Sequence, residues 1–169
     1  MSPPPLVLEG ARVEDLEALV NLERRCHSHP WSARNFREEL DDAARGQLIV
    51  LRAPLESPHP WRGIVGYCAY RVAADEMHVL NLAVAPEHRR AGLGRFLLAR
   101  ALEQGARRGA ERALLEVRRS NREALALYER FDFVIVAVRR DYYADPREDA
   151  LVLARRSLGP AAPVCAVAP

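Results

Sequence analysis

Two stretches of the chain carry residues whose types and spacing can do chemistry. The first is Arg89-Arg90-Ala91-Gly92-Leu93-Gly94-Arg95, followed at once by the apolar run Phe96-Leu97-Leu98. Gly92 and Gly94 let backbone N–H groups approach an anion closely. The helix that the run opens carries about half a positive charge at its N-terminus, and three arginines add full charges. The chain has no lysine, so this is not a Walker loop, and Leu97 stands where a dinucleotide fingerprint needs its third glycine. What remains is a cradle that binds a diphosphate without cleaving it. A glycine turn with solvated arginines is the plain alternative.

The second stretch runs from Ala113 to Tyr128. Glu116 interrupts Ala-Leu-Leu-Glu-Val, a strand-like segment otherwise apolar on both faces. A carboxylate there is costly unless it faces a cleft. Asn121 and Tyr128 lie seven residues apart on the following helix, hence on one face, and Glu116 just precedes it. The three converge as a carboxylate, an amide and a phenol. Read without that convergence, Glu116 is an ordinary strand-end acid and Tyr128 a core aromatic beside Leu125 and Phe131.

These residues need elements to hold them. Leu6–Leu8 reads as a short first strand, and Leu16, Leu19, Val20 and Cys26 recur at helical spacing. Pro30 breaks the chain, Ser32 caps a second helix, and Phe36 and Leu40 share its face. Gln47–Ala53 is strand-like, and Ala53–Trp61 is a proline-rich turn. Gly63–Ala73 and Met77–Val84 form an antiparallel hairpin. The glycine loop then opens a helix to about Arg108, stopped by Gly109. Ala113–Val117 is a strand, and Ser120 and Glu123 form a capping box for the Tyr128 helix. Phe133–Val138 is a strand, Arg139–Asp149 a polar loop, and Ala150–Arg156 the last strand. The order is mixed α/β with one strand–loop–helix–strand crossover at its centre.

Composition narrows the class. The 169 residues are expected to form one domain over 1–156, with 157–169 a disordered tail. A hydrophobic fraction of 49% and a charged fraction of 28% fit a soluble globular protein. A net charge of +2 does not mark a nucleic-acid binder. No apolar run approaches the roughly 20 residues that span a bilayer, and the N-terminus lacks a signal-peptide pattern, so no membrane partner and a cytoplasmic location are expected. Three cysteines without regular spacing argue against a disulfide framework. Cys26, His27 and His29 cluster, but no fourth ligand follows at a recognisable spacing, so no metal is expected.

The motif Arg89 to Gly94 resembles the R/Q-x-x-G-x-G/A signature of the GNAT superfamily of acetyl-CoA-dependent N-acetyltransferases. Within it the chain is similar to the RimI type, bacterial enzymes that acetylate the N-terminal alanine of a small-subunit ribosomal protein. The stretches that carry this are His29–Ser32 (HPWS), Asn81–Gly94, Leu115–Phe133, Arg139–Tyr143 and Arg147–Ala150. The usual Gly-Phe after the Tyr128 helix is Asp132-Phe133 here, a turn conformation that Asp adopts at some cost. The resemblance implies a GNAT fold: a mixed, mostly antiparallel central sheet, splayed at the coenzyme A site and flanked by helices. It implies acetyl-CoA as cosubstrate, and a protein N-terminus, that of a ribosomal protein, as acceptor. Leu82, Ala83 and Val84 would offer backbone groups to the pantetheine arm and acetyl carbonyl. Arg89, Arg90, Ala91, Gly92, Leu93, Gly94 and Arg95 would hold the pyrophosphate, and Asn121 would contact the pantetheine side. Glu116 would be the general base and Tyr128 the general acid.

The residue types suit that reaction. A protonated amine cannot attack, and an α-amine of pKa about 7.7 to 8.0 yields its proton to a carboxylate near neutrality. A strand N–H near Ala83 or Val84 would stabilise the oxyanion, and Tyr128 would protonate the departing thiolate. No enzyme nucleophile is required, so Cys68 is read as a packed strand residue. Tyr142, Tyr143, Asp75, Glu76, Glu148 and Asp149 are candidates for an acidic, aromatic acceptor groove; a solvated loop and acidic turn is the other reading. Lysine side chains or a small amine are alternative acceptors, and a coenzyme A sensor without turnover is a third possibility. A monomer is expected.

Overall fold

The computed structural model describes residues 5–42, 46–54 and 63–159. Its elements in chain order are β1 (Val7–Gly10), α1 (Leu16–Cys26), α2 (Ala33–Asp41), β2 (Gly46–Ala53), β3 (Gly63–Ala73), β4 (Glu76–Val84), α3 (Leu93–Arg107), β5 (Arg112–Arg118), α4 (Arg122–Glu129), β6 (Val134–Ala144) and β7 (Arg147–Arg155). The strands form one sheet in the order β1-β2-β3-β4-β5-β7-β6. Only β4 and β5 run parallel, because the α3 crossover returns the chain in the same direction.

Period-two alternation divides the core between the two faces of this sheet. Along β3, Cys68 and Tyr70 join α3 and α4 through Leu97, Leu98, Ala101 and Tyr128. Tyr67 and Ala69 point the other way, where α1 and α2 bring Leu19, Leu22 and Phe36. Along β5, Ala113, Leu115 and Val117 belong to the α3/α4 face, so Leu114, Glu116 and Arg118 face the α1/α2 side.

The sheet opens at its centre. β4 pairs with β5 only from Glu76↔Arg112 to Val79↔Leu115. On its other edge β4 stays with β3 as far as Val84, but the register steps from Tyr70↔Val79 to Ala69↔Asn81. Leu80 is therefore an extra, bulged residue, and a bulge bends its strand. Beyond it Leu82–Val84 keeps β3 and leaves β5, which gives the splayed GNAT sheet.

Some local expectations change. Ser32 caps α2, accepting from Asn35 N–H at 3.3 Å, but α4 is capped by Asn121, not Ser120: Asn121 Oδ1 accepts from Ala124 N–H at 3.1 Å. Ser120 instead donates its backbone N–H to Glu148. The polar segment Arg139–Asp149 is not a loop. It is the far half of the β6–β7 hairpin, which turns at Asp145-Pro146. That half runs past the strands that would bury it, so its residues are polar although its backbone is paired. The ordered chain also continues past residue 156: Leu158 is buried in the core and its N–H donates to Glu111 O at 2.7 Å. Residues 160–169, most of the expected tail, and most of the proline-rich turn at 53–61 lie outside the described residues. Among the described residues no helix is long and apolar enough to cross a membrane.

Candidate active site

The backbone of β4 sets which groups look into the opening. Ala85 N–H donates to Val65 O on β3 at 2.9 Å. Successive residues of a strand direct their N–H and C=O to opposite edges. Ala83 therefore turns its polar groups toward β3, and Leu82 and Val84 turn theirs toward the gap left by β5. Val84 O is already engaged, by Cys26 Sγ at 3.4 Å and by Arg89 Nε at 3.2 Å. The N–H groups aimed into the opening are those of Leu82 and Val84, so Ala83 drops out as an oxyanion donor.

Arg89 ties the start of the glycine loop to the end of β4. Arg90 (φ 62°) and Gly92 (φ 80°) then both take left-handed backbone. For Arg90 that conformation costs about 1–2 kcal/mol, whereas glycine adopts it freely. Gly92 is the N-cap of α3. Phe96 N–H closes the first turn on Gly92 O at 2.9 Å, so the amides of Leu93, Gly94 and Arg95 point out of the helix end without intrahelical partners. Leu93 itself is 3% exposed and offers only its backbone. A Cβ built on Gly92 meets nothing within 4 Å, so the space before these amides is open. Arg90, Ala91 and Arg95 are exposed around it. This is the geometry of an anion cradle, and it fits the pyrophosphate of a coenzyme.

Glu116 sits on the α1/α2 face of β5 beside the opening. Its Oε1 pairs with Arg139 Nε at 2.9 Å. The Tyr142 hydroxyl donates to the same carboxylate, and that bond, with partial burial, raises the Tyr142 pKa above its ordinary value. Tyr142 can reach back because β6 is distorted here: the register with β7 steps from Arg139↔Ala150 to Tyr143↔Glu148, and Asp141 has a φ of 50°. Tyr143 packs edge-on against Tyr142 at 5.2 Å between ring centroids and under the Arg118 guanidinium at 3.9 Å. Arg118 Nη2 lies 3.2 Å from His29 Nδ1, so the loop between α1 and α2 closes against the hairpin tip across this face.

Tyr128 lies in the core on the α3/α4 face of the sheet. It is 8% exposed and packs on Phe133 with ring centroids 5.8 Å apart. Burial, and then the neighbouring Cys68 and Tyr143, raise its pKa, so the phenol holds its proton at every working pH. Glu116 and Tyr128 thus lie on opposite faces of the sheet, and the charge of Tyr143 acts on Tyr128 as that of Glu116 acts on Tyr143. Asn121 uses its oxygen as the α4 cap and keeps its amide N–H groups exposed on that helix end.

The acidic groove does not form as expected. Asp75 and Glu76 pair with Arg112 at the opposite end of β5 from Glu116. Glu148 pairs with Arg118 and Asp149 with Arg119. What lines the face is tyrosine and arginine, with the carboxylates of Glu116 and Glu148 already paired to those arginines. Arg118 and Arg139 lie within the stretches that carry the resemblance, each the first of a tandem arginine pair, but no local signal assigns either to this face. Among the described residues no group of three His, Cys, Asp or Glu side chains is placed to hold a metal ion.

A sheet split beside a glycine-loop helix defines the class. Residues 16–133 match the acetyltransferase (GNAT) family, and the chain belongs to it. Within that family it is of the RimI type. It is 34% identical over 149 residues to the [ribosomal protein bS18]-alanine N-acetyltransferase of Escherichia coli (strain K12), covering 87% of this chain and 95% of the relative. The enzyme of the same name from Haemophilus influenzae is 31% identical over 143 residues, covering 83% and 91%. The crystal structure of the Escherichia coli ribosomal-protein-S18-alanine N-acetyltransferase superposes with a TM-score of 0.77 at 33% identity, over 89% of this chain and 92% of that one. Arabidopsis thaliana NAA60, solved in complex with acetyl-CoA, shares the fold at 14% identity, with a TM-score of 0.79 over 89% and 98% of the chains.

Proposed function

We propose that this acetyltransferase moves the acetyl group of acetyl-CoA to the α-amine of a protein N-terminus, the N-terminal alanine of small-subunit ribosomal protein S18. It works in the cytoplasm as a monomer, with residues 5–158 as one catalytic domain. The observation that carries the reading is the opening at Leu82–Val84, with an anion cradle at α3 beside it and a carboxylate and two tyrosines on the opposite face of the sheet. The likeness to the bS18-alanine enzymes supports the acceptor. Preference for basic residues downstream loses its support, because the acids that suggested it are paired with arginines.

In this mechanism the amides of Leu93, Gly94 and Arg95, with Arg90, hold the pyrophosphate. The pantetheine arm runs past Asn121 into the opening. The acceptor ammonium enters on the Tyr142–Tyr143 face and gives its proton to Glu116, directly or through a water, displacing Arg139. The neutral amine attacks the thioester carbonyl, and the Leu82 or Val84 N–H holds the resulting oxyanion. Collapse breaks the C–S bond and forms the amide with loss of the second amine proton, which the departing thiolate takes up. A thiol of ordinary acidity titrates near 8.5, well below a buried tyrosine, so Tyr128 keeps its own proton and acts by hydrogen-bonding the departing sulfur.

The test is mass spectrometry of acetyl-CoA reactions with peptides. One begins with a free alanine; a second carries a blocked α-amine and a free lysine. Acetylation of the first at its α-amine is expected. Faster acetylation of the second overturns the acceptor assignment.

A further inference from the structure

We propose that Glu23 is a positioning residue that sets the acceptor loop against the acyl-binding strand. The proposal rests on the reading above of Leu82–Val84 as the acyl segment and of the loop 27–32 as a wall of the acceptor face. Glu23 lies on α1 and is 1% exposed. A carboxylate buried that deeply is far costlier than a leucine of similar size unless its lone pairs are filled. Three hydrogen-bond donors from separate parts of the molecule fill them, and the His27 ring lies against the same carboxylate, Nε2 3.6 Å from Oε2. Oε1 accepts from the Trp31 backbone N–H at 2.9 Å and from Asn81 Nδ2 at 3.0 Å, and Oε2 accepts from the Tyr67 hydroxyl.

Each donor has a position that matters. Trp31 belongs to the loop that brings His29 to Arg118, and so to Tyr143. Asn81 is the residue after the bulge at Leu80, where β4 leaves β5. One turn along α1, the Cys26 thiol holds Val84 O. Helix α1 therefore grips the acyl segment on both sides, at Asn81 and Val84, and through the same Glu23 oxygen fixes the loop opposite. Trp31 and Tyr67 both pack edge-on against Phe36, each at 5.4 Å between centroids, which holds two of the donors in place. The distance between the acetyl carbonyl and the incoming amine is thus set by a group that touches neither.

The experiment compares three variants of the full chain with the parent. Glu23→Leu keeps the volume and strands all three donors. Glu23→Gln keeps an oxygen for Trp31 and Asn81 and turns an N–H toward the Tyr67 oxygen, so the ties survive without the charge. Asn81→Ala cuts only the strand tie, and serves if Glu23→Leu does not fold. Folding is checked by thermal melt, acetyl-CoA affinity by calorimetry, and acceptor KM and kcat on the alanine-initiated peptide. For Glu23→Leu, which strands three buried donors, or for Asn81→Ala in its place, which removes one hydrogen bond to a charged group, acceptor KM rises roughly tenfold or more. Acetyl-CoA affinity stays within about threefold, because the α3 cradle is untouched. Glu23→Gln stays within about threefold of the parent in both. A folded Glu23→Leu, or a folded Asn81→Ala in its place, with parental acceptor KM overturns the proposal. So does an equal loss of acetyl-CoA affinity, or a Gln variant as poor as Leu. A parent that acetylates no peptide α-amine overturns the acceptor reading itself, and this proposal with it.

Discussion

Arg139 Nε lies 2.9 Å from Glu116 Oε1, reaching from β6 across the intervening strand β7 to β5. The proposed base therefore already has a cation beside it, in the place where an acceptor ammonium would come. With Arg139 57% and Glu116 29% exposed, the pair is a solvent-screened one, worth about 0.2–1 kcal/mol. Arg139→Ala is expected to leave the melting temperature nearly unchanged and to lower acceptor KM by roughly twofold to fivefold, the same energy expressed as competition. Steady-state kinetics on the alanine peptide measure it. An unchanged or higher KM means that Arg139 helps the acceptor rather than competing with it.

Glu116→Gln should act in the opposite direction. The amide cannot take the ammonium proton, so kcat/KM falls by roughly 10²- to 10⁴-fold at pH 7. Much of it returns above about pH 8, where the α-amine is already neutral. The check is a pH–rate profile of both enzymes. Curves that run parallel at every pH would take Glu116 out of the proton transfer.

The glycine loop was legible because its signals are local: two glycines, adjacent arginines and an apolar run at helical spacing. The split between β4 and β5 was implied by the family resemblance alone and not by any local residue pattern. Met77–Val84 reads as one continuous apolar strand, and the bulge at Leu80 that parts it from β5 has no signature in residue type. The β6–β7 overhang was hidden for a related reason: strand propensity is read from burial, and Arg139–Ala144 is paired but unburied. Asn121 and Ser120 are both good caps, and only the chain path, which sends the Ser120 N–H to Glu148, decides between them. Glu23 looked like any polar position on an amphipathic helix, and its three hydrogen-bond donors are 8 to 58 residues away.

Gly92→Ala tests the cradle. The new methyl meets no protein atom, but at φ 80° it costs about 1–2 kcal/mol for an L-residue and stands where the pyrophosphate approaches. Acetyl-CoA affinity is expected to fall by roughly tenfold or more, with a melting shift no larger than that strain. Calorimetry on the folded variant reads the affinity, and a parental Kd would sink the assignment.

Cys68 makes a prediction about alkaline stability. It is fully buried in the α3/α4 core, and burial pushes its thiol up to about 12, against about 8.5 in an unfolded chain. A folded pKa raised above the unfolded one gives stability that is complete below about pH 8.5 and is lost as pH climbs toward 12. Cys68→Ala removes this loss while costing about 1 kcal/mol at pH 7 through its smaller side chain. The gap between parent and variant in urea midpoint should therefore narrow from pH 8.5 to 11. A constant gap would show that the thiol does not titrate in the unfolding equilibrium.

Tyr128 is the residue for which packing and chemistry compete most closely. Its ring is buried against Phe133, which any core aromatic would do. Its hydroxyl is what the proposed catalytic role requires, protonated because burial, and then Cys68 and Tyr143, raise the pKa. Tyr128→Phe keeps the ring and deletes the oxygen. If the residue only packs, the variant melts and turns over like the parent. If the hydroxyl assists the departing thiolate, kcat falls by about 10²-fold, the low end for general acid help, because a thiolate already leaves well and a phenol of raised pKa contributes a hydrogen bond rather than a full transfer. Acetyl-CoA affinity should change far less than kcat, since the lost bond strengthens only as charge develops on sulfur. A thioester with a more acidic thiol needs less help, so the parent-to-variant ratio should shrink on an activated acetyl donor. Stopped-flow or steady-state rates with both donors, paired with a melt and a titration, decide it. Parental turnover in a folded Tyr128→Phe would leave Tyr128 as a core residue.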